Sequence, residues 1–390
     1  MPIGAEPTPD ENAAFAGALT GYSQRSHSED FSYLTDFQEA HPNSCWNAAL
    51  LTNLGLEYYR TGRYSKTLEV WRQAWELSKS ATDVKGKALA DRAFGELVYM
   101  HARLGHMSEL NALLGSLGDR IFVGPATERV TAAREGLANM KFRPEASFRC
   151  GPHAMHRILA SLRPRNSRHE SVHESVSTTE GCSLEQVAEL SGRLGLHFQM
   201  AYREKHAPIV CPSVVHFKVD HFAAVIQQSE DRYLLQDPTF GKDVWVSLDT
   251  LEAESSGYFL VPPGELKAGW RTVEAGEGRS VSGKGNTGNN DPGPHGPCDP
   301  ASPGGGSSCP KDGGDCKGLA VSRVHLMLVS LNINDEPVGY ASPVGPAVRF
   351  TVRYNQRDAD QPANFLYSNF GPNGLATGSR TLRMTHSVRL

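Results

Sequence analysis

Apolar residues recur at helical spacing through the first third of the chain. Around a break at TGRY, residues 61–64, the apolar positions lie three or four residues apart, as they do on one face of an α-helix. These positions are Leu51, Leu54, Tyr58, Leu68, Trp71 and Trp75. The pattern predicts a helical hairpin, with a second hairpin over residues 88–117 and a capping helix over residues 127–140. We therefore predict an all-α region of helical repeats over residues 37–140, after a polar, flexible lead-in over residues 1–36.

The spacing of apolar residues changes between residues 141 and 263. The stretch CGPHAMHRILASL predicts a helix that begins near Cys150 and has Pro152 in its first turn. A second amphipathic helix opens with Ser183 and Gln186 at the spacing of a capping box. The period then becomes two in PSVVHFKVDHFAAVIQQ, RYLLQDP, VWVSL and YFLVP, which predicts antiparallel strands. Helices followed by an antiparallel sheet indicate an α+β domain over residues 141–263.

The composition changes again after this domain. Residues 264–320 are rich in glycine and proline and poor in large apolar side chains, so we predict a disordered linker. Alternating apolar residues return in VHLMLVSLNI and VRFTVRYNQ, which predicts a β-rich segment over residues 321–371. Residues 372–390 form a tail with neither apolar periodicity nor a stop signal, as in a chain truncated inside a domain. The chain as a whole is predicted to be multidomain.

The charge balance and the cysteine count narrow the classes of function. The 390 residues carry 39 basic and 43 acidic side chains, with a net charge of −4, so we expect no nucleic-acid partner and no attraction to anionic membranes. No signal-peptide pattern opens the sequence and no apolar run is long enough for a membrane span. We expect a cytoplasmic protein at synthesis, with any export by another route. Seven thinly spread cysteines, an odd number, favour reduced thiols over a disulfide framework.

Cys150 is the first candidate for a catalytic residue in this sequence. A cysteine nucleophile needs a thiolate, a base that takes its proton and a third group that orients the base. The N-terminus of a helix favours negative charge on a thiol placed there. His221 begins HFAAVIQQ and Asp237 ends YLLQD, so both are expected at the same end of neighbouring strands, where a carboxylate can hold an imidazole N–H.

Each of these residues also has an ordinary structural interpretation. Cys150 fits a buried, inert thiol, His221 a hydrogen-bonded core histidine, and Asp237 the start of an Asp-Pro turn. His216 lies five residues before His221; on one shared strand it would point to the opposite face, and we interpret it as structural.

The remaining cysteines do not indicate a metal site. Cys182 and Cys211 are expected to be small core residues. The spacing of the cysteines in the predicted linker, with one nearby histidine, fits no common zinc pattern; these residues are Cys298, Cys309, Cys316 and His295. No cofactor and no metal are predicted.

Four stretches together resemble a known family. Cys150-Gly151-Pro152, GCSLEQVAELSGRLGL, PSVVHFKVDHFAAVIQ and QDPTFG are similar, in this order, to the papain-like cysteine peptidase domain that removes double-glycine leader peptides from bacteriocins. The resemblance implies a papain-like fold with Cys150 as nucleophile, His221 as general base and Asp237 as the residue that orients His221. The family carries an oxyanion-stabilising glutamine six residues before the nucleophile, whereas this sequence has Pro144 there, with Arg143 as a possible substitute.

Two further resemblances concern the flanking regions. In the helical region, several residues resemble the tetratricopeptide pattern, although Thr67 stands where a small residue is usual; they are Leu54, Gly55, Tyr58, Gly62, Tyr64, Trp71 and Ala74. The resemblance implies a helical scaffold, with Trp71 and Trp75 either in its core or on a face that binds a protein partner. The segment from VHLMLV to NFGP resembles the strands that lead into Rhs/YD-repeat shells of bacterial toxins, which implies the front part of a larger exported system.

Two classes of function follow from these patterns. The first is a cysteine endopeptidase whose substrate is a peptide or protein, either a partner or part of its own larger system. The second is a catalytically weak, peptidase-like module that binds a peptide while the helical repeats scaffold it. The order of Cys150, His221 and Asp237 favours the enzyme, and the missing glutamine favours the binding module.

Overall fold

The computed structural model describes residues 2–122, 124–163, 170–237, 239–240 and 242–286, together with four strands further along the chain. The chain divides into two compact units, Met1–Asp291 and Pro292–Leu390. Within the described residues, no helix is long and apolar enough to cross a membrane.

The first unit opens with seven helices. They are α1 (Pro9–Ser23), α2 (Ser32–Ala40), α3 (Asn47–Arg60), α4 (Tyr64–Ser78), α5 (Val84–Leu104), α6 (Met107–Gly115) and α7 (Pro125–Phe142). Gly62, with φ of 78°, makes the turn from α3 to α4, and Gly105, with φ of 73°, ends α5. Both positions lie in the left-handed region that glycine adopts without steric cost.

The beginning of the chain differs from the flexible lead-in expected there. Residues 1–36 contain α1 and the start of α2. Phe31, Leu34 and Phe37 are buried in a core shared with α3 and α4. Helix α2 is only nine residues long, so its apolar face consists of few residues with polar residues between them. The sequence pattern there was too short to indicate an amphipathic helix.

Trp71 belongs to the core of the helical region. Its side chain is 2% exposed, and its indole N–H donates a hydrogen bond to the Thr52 carbonyl at 3.0 Å. Gly55 leaves room for the ring, since a Cβ at that position would lie 2.2 Å from Trp71 Nε1. Trp75 is also buried. Both tryptophans therefore lie in the core of the helical region rather than on an exposed binding face.

The rest of the first unit consists of short helices and a sheet. Its helices are α8 (Pro144–Ser147), α9 (Cys150–Leu162), α10 (Glu170–His173), α11 (Leu184–Arg193), α12 (Leu248–Glu254) and α13 (Ala275–Arg279). Its strands are β1 (Cys182–Ser183), β2 (Gln199–Arg203), β3 (Ser213–Phe217), β4 (His221–Ser229), β5 (Arg232–Asp237), β6 (Lys242–Ser247), β7 (Ser255–Val261), β8 (Trp270–Thr272) and β9 (Ser282–Gly283). Ser183 caps α11 with the predicted capping box to Gln186.

Seven strands form one antiparallel sheet in the order β6-β5-β4-β3-β7-β2-β8. Alternate side chains of its central strands face two different cores. Val214, Phe222 and Ala224 pack with α9 and α11, whereas Val215 and Ala223 pack with the N-terminal helices. Both faces of the sheet centre are therefore buried, which explains the continuous apolar runs of β3 and β4.

One buried and one partly buried carboxylate join the N-terminal helices to the sheet. Glu254, at the end of α12, accepts hydrogen bonds from the backbone N–H and the hydroxyl of Ser65, both at 2.8 Å. This places negative charge at the N-terminus of α4, where the helix dipole favours it. Burial raises the pKa of Glu254. Glu29, between α1 and α2, accepts bonds from Ser247 and Thr250 at 2.8 and 2.9 Å.

Residues 264–286 also differ from the linker expected there. Strand β8 pairs with β2 at the edge of the sheet, and β9 pairs with β1. Trp270 is buried and donates its indole N–H to the Pro208 carbonyl at 3.0 Å. Few apolar residues are needed to hold this stretch, because much of its attachment is made by backbone hydrogen bonds. Residues 287–320 lie outside the described residues.

The second unit contains four described strands in an antiparallel order β10-β11-β12-β13. They are β10 (Val321–His325), β11 (Ser330–Tyr340), β12 (Val348–Asn355) and β13 (Gly374–Gly378). The likeness of this region to the start of an Rhs shell stays a prediction.

A buried and an exposed tryptophan, Trp71 and Trp245, allow a stability test. We expect Trp71→Ala to lower the free energy of unfolding by about 3–5 kcal/mol, because it removes a buried indole and leaves a cavity. Trp245→Ala is the matched control, since Trp245 is 38% exposed; it should cost less than about 1 kcal/mol. Guanidinium denaturation followed by circular dichroism measures both. Equal losses for the two variants would contradict the core position of Trp71.

Candidate active site

Cys150 is the first residue of α9 and is fully buried. The segment before it is held by hydrogen bonds with two neighbours: Phe148 N–H donates to Ser177 Oγ at 3.1 Å, and the Cys182 thiol donates to the Phe148 carbonyl at 3.4 Å. Gly151 lets α9 lie close to its neighbours, because a Cβ there would be 2.5 Å from Val187 Cγ2. The thiol of Cys150 is thus fixed at the positive end of a helix dipole.

His221 and Asp237 meet at one end of neighbouring strands. His221 begins β4 and Asp237 ends β5, which is paired with β4. The Nε2 atom of His221 lies 2.8 Å from Asp237 Oδ2, and both side chains are shielded from solvent. The other carboxylate oxygen accepts hydrogen bonds from the backbone N–H groups of Thr239 and Phe240 at 2.9 and 3.3 Å. Asp237 is therefore oriented by the turn that follows it.

Cys150 lies on the opposite side of the His221 ring from Asp237. An ideal Cβ built on Gly285 would be 2.4 Å from His221 Nδ1 and 2.8 Å from Cys150 Cβ. Nδ1 of His221 and Cβ of Cys150 therefore lie close to each other, on either side of Gly285. Nδ1 of His221 has no hydrogen-bond partner at ordinary geometry. The Cys150 thiol is nevertheless near enough to help raise the pKa of the imidazole. The structure therefore brings together all three residues predicted from the sequence.

The charge of His221 depends on Asp237. Burial alone lowers the pKa of the imidazole, but the negative charge of Asp237 and its hydrogen bond outweigh burial and raise the pKa from 6.5 to about 10. The ring consequently carries a proton at neutral pH. An imidazolium beside a sulfur atom favours negative charge on that sulfur.

Tyr64 is a residue of this site that the sequence analysis missed. Its hydroxyl donates to Asp237 Oδ2 at 3.4 Å, and its ring packs edge-on against those of Phe217 and His221. Burial and the charge of Asp237 raise the pKa of Tyr64 well above its usual value, so its hydroxyl remains a donor. The sequence offered only a match to a helical-repeat position, because 173 residues separate Tyr64 from Asp237.

Arg103, near the end of α5, is a second contribution from the helical region. Its guanidinium donates two hydrogen bonds to the Thr239 carbonyl, from Nη2 at 2.6 Å and from Nε at 3.2 Å. It also lies 4.6 Å from the centre of the Phe240 ring. Arg103 thereby fixes the turn whose N–H groups hold Asp237.

His216 differs from its expected placement. It lies on β3 rather than on the strand of His221, because residues 218–220 form a turn, and it pairs with Phe222 across the hairpin. Its Nδ1 lies 2.8 Å from Ser256 Oγ, and its Nε2 lies 3.0 Å from the Ser282 carbonyl. Burial lowers the pKa of His216 to about 4. The ring is neutral at pH 7, with its Nε2–H directed at Ser282.

Pro144, at the position where the resemblance implies a glutamine, has no side-chain hydrogen-bond donor. Arg143, considered as a substitute, is 70% exposed and lies 4.0 Å from Glu145. Its guanidinium is therefore directed at the surface rather than at the buried thiol. The backbone N–H of Cys150, at the start of α9, remains available as a donor.

Among the other described thiols, Cys182 has the core position expected for it, whereas Cys211 and Cys45 are only partly buried. Burial raises the pKa of Cys182 to about 12 and that of Cys211 to about 11, so both stay protonated. No cluster of histidine, cysteine and acidic residues able to hold a metal occurs within the described part of the chain. Residues 287–320, which contain the three linker cysteines, are not described.

Comparison with known families supports the central part of this description. Residues 143–265 match the model of the Peptidase C39 family. Over these residues, here called the C39 domain, the chain is therefore similar to that family. The match ends before β8 and begins after α7, so the contributions of Tyr64 and Arg103 come from outside the C39 domain. Searches of curated proteins and of solved structures found no match, and the tetratricopeptide and Rhs likenesses stay predictions.

The raised pKa of His221 predicts a pH dependence of stability. A histidine whose pKa is raised on folding stabilises the folded state fully below its unfolded pKa, here 6.5, and this contribution is lost as the pH rises through the folded value of about 10. In Asp237→Asn, burial is unopposed and the contribution disappears. The difference in free energy of unfolding between parent and Asp237→Asn should therefore shrink steadily from pH 6.5 to pH 10.

Guanidinium denaturation at a series of pH values measures this difference. Asp243→Asn is the matched control, because Asp243 is exposed on β6; its difference from the parent should not change over the same range. A pH-independent difference for Asp237→Asn would contradict the charged state of His221.

Proposed function

We propose that this chain is a cysteine endopeptidase of the double-glycine leader type. The observation that carries the proposal is the buried arrangement of Cys150, His221 and Asp237, with Nε2 of His221 on Asp237 and Nδ1 facing the thiol. This is the set of nucleophile, proton carrier and orienting group that acyl transfer by a cysteine requires. The family match over residues 143–265 supports the same chemistry.

The proposed mechanism gives each residue one task. The Cys150 sulfur attacks the carbonyl carbon of the scissile bond, and the Cys150 backbone N–H donates to the oxyanion that forms. The His221 imidazolium gives its proton to the departing amine, after which His221 accepts a proton from the water that hydrolyses the thioester. Asp237 holds the ring in the required orientation and stabilises its charged form, while Tyr64 and the turn N–H groups hold Asp237.

The substrate is proposed to be a peptide or protein segment with glycines before the scissile bond. It belongs to a partner or to the larger system of which this chain is part, in keeping with the likeness of residues 321–371 to an exported toxin shell. The helical region is proposed to act in substrate or partner binding, because α4 and α5 supply Tyr64 and Arg103 to the site.

A second candidate function is a peptide-binding module with weak catalysis. Pro144 supports this alternative, since an oxyanion donor usually provided by a glutamine at that position is missing. Loss of one such donor typically lowers the rate about 10²–10³-fold. The binding module predicts affinity for the same peptides without turnover.

A cleavage assay separates the two functions. The purified full chain is incubated with a proteome-derived peptide library, and new peptide ends are identified by mass spectrometry. We expect cleavage after glycine pairs in the parent and a loss of at least about 10³-fold in Cys150→Ala, because the nucleophile is removed. Cys211→Ala is the matched control, since Cys211 packs against the core on the other face of the sheet from Cys150.

The pattern of outcomes distinguishes the proposals. Cleavage that survives Cys150→Ala would contradict the assignment of the nucleophile. Cleavage that depends on Cys150 but not on glycine would contradict the leader type. Peptide binding without any cleavage would favour the binding module.

A further inference from the structure

The cleft beside Cys150 is occupied by a segment of the same chain. Residues 281–286, here called the cleft segment, follow α13 and pass over the nucleophile. Strand β9 within it pairs antiparallel with β1, with Gly283 opposite Cys182 and Ser282 opposite Ser183. The Leu184 N–H extends this ladder by donating to the Val281 carbonyl at 2.8 Å. An extended chain added to a short strand is a common way for proteins to bind peptides.

Backbone hydrogen bonds hold the cleft segment on its other side as well. Lys284 N–H donates to the Asp220 carbonyl at 2.6 Å, and Asn286 N–H donates to the Arg103 carbonyl at 2.7 Å. The neutral His216 ring donates to the Ser282 carbonyl at 3.0 Å. The cleft segment is therefore bound in an extended form through its main chain, between the C39 domain and the end of α5.

Two glycines of the cleft segment lie at the reactive groups. A Cβ on Gly283 would be 2.3 Å from Phe222 Cδ2 and 3.0 Å from Cys150 Sγ. A Cβ on Gly285 would be 2.4 Å from His221 Nδ1 and 2.8 Å from Thr239 Oγ1. Because real Cβ atoms do not approach other atoms this closely, only glycine lets the main chain come so near to both the thiol and the imidazole.

The main chain of the cleft segment lies equally close to the end of α5, on the other side of the cleft. Gly105, at the end of α5, faces the Lys284 carbonyl, and a Cβ on Gly105 would lie 1.8 Å from that oxygen. The helical region therefore encloses the bound segment from above, while β1 and α9 enclose it from below. The main chain of Gly283-Lys284-Gly285 is thus presented to the nucleophile in an enclosed cleft.

We infer that the cleft segment is a substrate of its own active site, and that the chain cleaves itself at one of the three peptide bonds between Gly283 and Asn286. This inference rests on the proposed peptidase function. The segment and the site belong to one compact unit, so the reaction takes place within one molecule. The cut separates Met1 to the new carboxyl end from all later residues, including strands β10–β13.

The reaction needs only water as a co-reactant. The Cys150 sulfur forms a bond to the carbonyl carbon of the scissile peptide, and the C–N bond of that peptide breaks. The His221 imidazolium supplies the proton that makes the departing nitrogen a free amine. Water then attacks the thioester, which releases a new carboxylate and restores the Cys150 thiol.

The test follows the intact mass of the full chain after purification, in the parent and in three variants. We expect the parent to yield two fragments, the second beginning at Lys284, Gly285 or Asn286, and we expect Cys150→Ala to stay whole. The double variant Gly283→Ala with Gly285→Ala should be cut at least ten-fold more slowly, because its segment no longer fits the cleft. Gly276→Ala is the matched control and should be cut like the parent, since the nearest atom to its Cβ is 3.9 Å away.

Mixing distinguishes reaction within one molecule from reaction between molecules. Whole Cys150→Ala chain, mixed with parent, should remain uncut, and the parent rate should not depend on protein concentration. Cleavage of the Cys150→Ala chain by the parent would overturn the intramolecular step.

A synthetic peptide of residues 279–291 distinguishes failure of this inference from failure of the proposed function. A parent that stays whole overturns self-cleavage. The Gly283→Ala, Gly285→Ala double variant, whose own segment no longer fits the cleft, is then given the peptide. If it cuts the peptide and the same variant with Cys150→Ala does not, the peptidase function stands and the segment is an inhibitor of the site. If the peptide and the peptide library both stay uncut, the proposed function fails as well. A Cys150-dependent cut outside residues 283–286 also overturns the inference.

Discussion

The contact on which the site depends is the 2.8 Å hydrogen bond between His221 and Asp237, made where both side chains are shielded from water. A buried charge is costly unless it is paired and its remaining hydrogen-bonding capacity is used. The turn N–H groups after Asp237 and the Tyr64 hydroxyl satisfy the carboxylate, so the imidazolium can persist beside the thiol. Removing one partner of such a pair leaves the other uncompensated, and this constraint links the fold of the whole unit to its chemistry.

The N-terminal helices are consequently part of the site rather than a separate scaffold. Tyr64 and Arg103 come from α4 and α5, and the Glu254 carboxylate holds the start of α4 against the end of α12. The family match begins only at residue 143, so these contacts come from residues outside the matched region. They bury the second face of the sheet, which in an isolated domain would expose Val215 and Ala223.

Glycine sets the access to the nucleophile. Gly283 and Gly285 bring the main chain against Cys150 and His221, and Gly105 closes the cleft over Lys284. The same enclosure that brings a glycine-containing strand to the thiol excludes a strand with side chains at these two positions. Glycine at positions 283 and 285 is thus a steric requirement of the place that the cleft segment takes in the fold.

Local patterns in the sequence were sufficient for helices α3 to α5, α7, α9 and α11, for the capping box of α11 and for the alternation of β3 to β5, because these features depend on residues a few positions apart. The hairpin spacing was also sufficient to predict that His221 and Asp237 lie together. The sequence did not show Tyr64 at the carboxylate, the ordered residues 264–286 or the cleft segment, and its missing glutamine could not be matched to a donor. These features join residues about 60 to 180 positions apart through buried packing and backbone hydrogen bonds. Such contacts leave no periodic signal, and only the tertiary structure decided them.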